Sequence, residues 1–123
     1  MTPGPLVAVV DDDDAVREAL SDVLREFGFD VEAFASAEAF LVFDATTRTD
    51  CLVLDIAMPG MTGLELQREL KRRGEQIPIV FITAHADRTL RPRVLASGAA
   101  ECLFKPFTET ALLEAVRSAL PTP

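Results

Sequence analysis

The sequence predicts an α/β fold: one doubly wound, five-stranded parallel sheet with five helices. Three observations predict it. Five short apolar runs alternate with five longer stretches of helical spacing. The connections between them are short, so successive strands are joined through helices and run parallel with right-handed crossovers. The 123 residues, 49% hydrophobic and 26% charged, suit a single domain over 1–123, with about two-thirds of the unfolded surface buried on folding.

The first run is Leu6 to Val10. The helix after it carries Val16, Leu20, Val23, Leu24 and Phe27 at i, i+4, i+7, i+8 and i+11, and Gly28 stands where a C-terminal cap glycine belongs. Val31 to Phe34 is the second strand, and a helix starts near Ser36 and runs through Phe40. Cys51 to Leu54 is the third. Thr62 and Glu65 form a capping box ahead of Leu66 and Leu70, with a stop at Gly74. Ile77 to Ile82 is the fourth strand, and its helix lies between Asp87 and Gly98. Pro92 would break that helix unless it sits in the first turn, so the helix is expected to be short or to begin late. Ala100 to Phe104 is the fifth strand, and Thr108 through Leu112, Val116 and Leu120 the fifth helix. The middle strands read as buried on both faces.

Composition removes several functions. Twelve basic against twenty acidic residues leave a net charge of −8, which argues against a nucleic-acid-binding surface. Cys51 and Cys102 lie in apolar runs, at neither a zinc spacing nor a secreted disulfide density, and read as buried thiols in a reducing compartment. The N-terminus lacks the basic and apolar regions of a signal peptide, and no stretch approaches a membrane span, so a cytoplasmic protein is expected.

Open parallel sheets bind ligands at the carboxyl ends of their strands. Here those ends carry Asp11-Asp12-Asp13-Asp14, Asp55, Thr83-Ala84-His85 and Lys105-Pro106. Two carboxylates 4 Å apart repel by roughly 4 kcal/mol at an effective dielectric near 20, so clustered Asp11, Asp12 and Asp55 need a proton or a cation. Carboxylate oxygens suit Mg²⁺. Asp55, alone at the end of the central strand before a Met58-Pro59 and Gly63 turn that would leave its carboxylate exposed, is the candidate nucleophile for a phosphoryl group. Lys105 would neutralise the transferring oxygens and Thr83 would donate to one of them. Asp13 or Asp14 reads as a helix N-cap or first-turn acid. His85 is either an incidental loop residue or a group near the phosphoryl site, and Arg88, Arg91 and Arg93 read as a solvated helix face.

VVDDDDAV (Val9 to Val16), LVLDIAMPGMTGLEL (Leu52 to Leu66), IVFITAHAD (Ile79 to Asp87) and LFKPF (Leu103 to Phe107) resemble the response-regulator receiver domains of two-component systems, from Leu6 to about Leu120. GFDVEAFASAEAFL (Gly28 to Leu41) is most similar to FixJ-like receivers, which precede helix-turn-helix output domains. The resemblance implies a flavodoxin-like strand order of 2-1-3-4-5 and phosphotransfer from a sensor histidine kinase to Asp55. It implies Mg²⁺ on Asp11, Asp12, Asp55 and the Ala57 carbonyl, roles for Thr83 and Lys105 at the phosphoryl group, and a cis Lys105–Pro106 bond. It further implies a phosphoacceptor signalling domain, not an enzyme proper, that assists its own phosphorylation and dephosphorylation, in a stand-alone receiver or the N-terminal part of a transcription factor. The family usually has Tyr or Phe where this chain has Cys102. Phe104, on the same strand face, then forms either an apolar output surface that pairs with another receiver on phosphorylation or ordinary filling beneath the fourth helix. A haloacid-dehalogenase-like phosphohydrolase is the rival reading. It requires an acid where Ala57 stands, and a flavin carrier would find its phosphate repelled by the aspartates.

Overall fold

The computed structural model describes residues 4–42, 48–84 and 89–120. Strands and helices alternate strictly: β1 (Leu6–Val10), α1 (Asp14–Glu26), β2 (Asp30–Phe34), α2 (Ala37–Val42), β3 (Cys51–Asp55), α3 (Gly63–Arg72), β4 (Ile79–Thr83), α4 (Leu90–Ala96), β5 (Glu101–Phe104) and α5 (Glu109–Ala119). All strand pairs are parallel, in the order β2-β1-β3-β4-β5.

Strand alternation divides the core into two layers. Ala8, Val10, Leu52, Leu54, Phe81 and Cys102 pack against Phe40, Leu66, Leu70 and Val94 from α2, α3 and α4. Val7, Val9, Cys51, Val53, Val80 and Ile82 pack against Leu20, Leu24, Leu112 and Val116 from α1 and α5. Every residue of β3 and β4 is buried, as their unbroken apolar runs predict. The winding reverses between β1 and β3, which opens a crevice at their carboxyl ends.

Local chemistry sets the element ends. Gly28 adopts φ +94°, and the amides of Gly28 and Phe29 bond back to Arg25 and Leu24, closing α1. The Thr62 hydroxyl accepts from the Glu65 amide at 3.2 Å while the Glu65 carboxylate accepts from the Thr62 amide at 3.0 Å. Pro92 is the third residue of α4, where its missing amide breaks no intrahelical bond, and the helix does start late. The Lys105–Pro106 bond is cis.

Several boundaries move. α2 runs to Val42, beyond the expected Phe40; β4 begins at Ile79 and β5 at Glu101. Phe27, expected on the buried face of α1, is 45% exposed because it is the C-cap residue, where the chain has already left the helix. His85 and Arg88 lie outside the described residues. Arg91 is exposed but donates to the Glu101 carboxylate of β5 at 2.7 and 3.1 Å, so it does more than solvate a face. Both cysteines are buried and free. Among the described residues no helix is long and apolar enough to cross a membrane.

Candidate functional site

Asp11 follows β1 directly, and its amide continues the ladder to the Phe34 carbonyl at 3.2 Å. This carries its side chain into the crevice, where it is fully buried. One carboxylate oxygen accepts from the Asp13 amide at 2.9 Å; the other accepts from the Lys105 ammonium at 3.1 Å. Asp12 is exposed. Asp13 caps α1, accepting from the amides of Ala15 and Val16 at 2.9 and 3.2 Å, and Asp14 pairs with Arg17 in the first turn.

Asp55 closes β3, and the chain returns so tightly that a Cβ on Gly63 would lie 2.4 Å from the Asp55 carbonyl oxygen. The carboxylate is not left exposed, as the sequence suggests: Asp55 is 5% accessible, because this turn and Lys105 close over it. One oxygen accepts from the Ala57 amide at 3.3 Å, and the other lies 3.6 Å from the Lys105 ammonium. Burial pushes the Asp55 carboxyl above the usual carboxylate range, and the charge of Asp11 adds to this. Lys105 and the Ala57 amide pull it down, and Asp12 raises it further.

Thr83 ends β4 fully buried. Its carbonyl accepts from the Lys105 amide at 2.8 Å, which fixes where the lysine leaves β5. Oxygens of Asp11, Asp12 and Asp55 lie within 4.8 Å of one another. Such a donor set fits a hard divalent cation, since three acids at this spacing with one ammonium retain excess negative charge. The structure therefore brings Asp11, Asp12, Asp55 and Lys105 together, with Thr83 at the neighbouring strand end and Ala57 contributing its amide.

Two bracing residues escape sequence reasoning. The Arg17 guanidinium donates to the Asp11 carbonyl at 2.8 Å, tying α1 to the acidic loop. Its i,i+3 spacing from Asp14 was a usable signal. The Glu38 carboxylate accepts from the Met61 amide at 3.3 Å and so holds the loop after Asp55; a contact across 23 residues leaves no local signal.

The family model for the response regulator receiver domain matches residues 7–117. The response regulator protein TodT of Pseudomonas putida is 46% identical over 115 residues, covering 94% of this chain and 51% of TodT. The transcriptional regulatory protein FixJ of Azorhizobium caulinodans is 43% identical over 114 residues, covering 93% of this chain and 54% of FixJ. The solved structure of the response regulator StyR superposes with a TM-score of 0.88 at 50% identity, over 95% of this chain and 59% of that one. The chain thus spans about half the length of these relatives. With the 2-1-3-4-5 sheet and the acidic crevice in place, the matched span establishes that the chain belongs to the response-regulator receiver domain family.

Proposed function

We propose that this domain accepts a phosphoryl group on Asp55 from the phosphohistidine of a sensor kinase, in a reaction that requires Mg²⁺. The observation that carries the reading is one ammonium, that of Lys105, lying 3.1 Å from Asp11 and 3.6 Å from Asp55 beside a third carboxylate. An Asp55 oxygen forms the new P–O bond as the donor's P–N bond breaks and the electron pair stays on the imidazole nitrogen. Asp11, Asp12, Asp55 and the Ala57 carbonyl would hold the metal, which when bound neutralises charge on the transferring oxygens. Lys105 pairs with the transferred group, and the Thr83 hydroxyl donates to one of its oxygens. The Ala57 amide orients the nucleophile through its bond to the other Asp55 oxygen.

The same residues would assist hydrolysis of the acyl phosphate, so the domain resets itself. Because FixJ is a transcriptional regulatory protein, the reading extends to control of transcription by a longer protein; pairing with a second receiver on phosphorylation is part of the same proposal. Incubation with acetyl phosphate and Mg²⁺ should add one phosphoryl group by intact mass, and Asp55→Asn should remove it. Equal single-site uptake by Asp55→Asn sinks the assignment.

A further inference from the structure

The basic side chains are distributed unevenly. Residues 63–98 hold seven of the twelve, against four of the twenty acids, so α3 and α4 belong to a positive stretch of a chain whose net charge is −8. Three of these cations are already paired: Arg72 and Arg73 share Glu69, and Arg91 meets Glu101. Arg68 and Arg93 form no ion pair among the described residues. The Glu65 carboxyl is drawn down chiefly by its bonds to Thr62 and only last by Arg68.

Both guanidinium side chains line one cleft of about 260 Å³ between α3 and α4, with Lys71 as a third cation, Leu64, Leu90 and Val94 as apolar wall and no acid. The cleft beside β2 is different, because Arg25 and Arg48 share it with Asp30, Glu32 and Asp50. Hydrogen bonds hold the α3–α4 cleft in shape. Gln67, only 6% exposed, donates to the Ser97 hydroxyl at 3.1 Å across the two helices. That hydroxyl has one proton, and it lies closer to the Val94 carbonyl, at 2.7 Å, than to the Gln67 oxygen, at 3.2 Å. The second hydrogen of the Gln67 amide has no partner among the described residues. The Lys71 ammonium donates to the Ser97 carbonyl, where the end of α4 favours a cation.

Such a lining suits an anion with an apolar body. Guanidinium forks pair with phosphate oxygens through two parallel bonds, and the half-buried Leu64 and Leu90 offer a dry surface beside them. The volume falls below the roughly 300–1,000 Å³ of most ligand pockets, so the ligand is small. An extended nucleic acid would meet repulsion from the rest of the surface. We propose that the α3–α4 cleft binds a small phosphomonoester, its phosphate held by Arg68 and Arg93 beside Lys71 and its apolar body on Leu64 and Leu90. The cleft shares no residue with the Asp55 crevice, and metal-free conditions keep phosphotransfer out of the measurement. The test is an amide-resolved NMR titration of the metal-free domain with phenyl phosphate at constant ionic strength, with inorganic phosphate as comparison. Saturable shifts should fall on 64–71 and 90–98, and phenyl phosphate should bind several-fold more tightly than inorganic phosphate. Arg68→Gln and Arg93→Gln should each weaken binding about tenfold, the loss of one charge-assisted pair. Arg117→Gln, which removes an exposed cation elsewhere, should leave it unchanged; thermal melts establish that each variant is folded. Shifts spread evenly over the exposed arginines, equal affinity for the two anions, or cleft variants that bind no more weakly than Arg117→Gln overturn the proposal.

Discussion

Replacing Asp55 by Asn should stabilise the metal-free domain. Oxygens of Asp11 and Asp55 lie no more than 4.8 Å apart, a repulsion of at least about 3.5 kcal/mol at an effective dielectric near 20. The Lys105 ammonium at 3.6 Å from Asp55 returns about 4.6 kcal/mol by the same arithmetic. Because the lysine side chain is 22% exposed, that attraction is partly screened. The two charge effects nearly cancel, and the burial of a carboxylate decides the sign, in keeping with the raised pKa of Asp55. An amide keeps the shape and still accepts from Ala57, with no charge to desolvate. The expected gain is about 1–2 kcal/mol, and for a domain of this size each kcal/mol moves Tm by roughly 3–5 °C.

The pH dependence follows from the direction of the shift. A carboxyl whose folded pKa lies above its unfolded value binds its proton more tightly in the fold, so its stabilisation is complete at low pH. That stabilisation is lost as pH rises from the ordinary carboxylate range through the raised value. The advantage of Asp55→Asn should therefore grow across that window and level off above it. Melts followed by circular dichroism in chelator, from pH 4 to pH 7.5, check this. A variant that melts at or below the wild type at neutral pH, or an advantage that shrinks as pH rises, refutes the reasoning. Adding Mg²⁺ should then raise the wild type more than the variant, since the variant has lost one of the three carboxylates.

Two further outcomes test the fold around the site. Gly63→Ala places a Cβ 2.4 Å from the Asp55 carbonyl oxygen, a backbone atom that cannot swing aside; it should cost more than about 2 kcal/mol in urea melts, and a loss under half that would show the turn to be pliable. Cys51, its thiol pushed up to about 12 by burial with Asp50 adding to the effect, and Cys102, raised chiefly by burial, should react with a thiol reagent at pH 8 only as fast as the domain opens. Prompt labelling of native protein would contradict their burial.

The sheet was legible because buried parallel strands need unbroken apolar runs, and β1, β3 and β4 are such runs. The site was legible for the same reason: once the runs are placed, whatever follows them stands on one edge, and here that is Asp11, Asp55, Thr83 and Lys105. What escaped depends on distance in three dimensions. The burial of Asp55 comes from a lysine fifty residues away and from a turn whose tightness only the Gly63 approach reveals. Glu38 braces the loop after β3 from another helix, and periodicity says nothing about such a contact. The mistaken burial of Phe27 has a local cause. The apolar spacing continues through it, but the helix stops one residue earlier, and a cap residue need not share the face of the turn before it.

The four consecutive aspartates show how far identical side chains can diverge once the helix start is pinned. Asp13 accepts from two first-turn amides, and its own amide donates to Asp11. The bond that starts α1 and the bond that aims Asp11 inward therefore meet at a single residue. Asp11 is then held under Lys105, Asp12 is left exposed with an oxygen in the same acidic cluster, and Asp14 is turned outward to Arg17. If α1 began one residue earlier, Asp12 would be the cap and the acid buried against Lys105 would have to come from the last residue of β1, where Val10 now fills the core. The cap thus sets which two of the four carboxylates can face a cation together with Asp55, and this is a positional consequence of where α1 begins, not of any difference among the side chains.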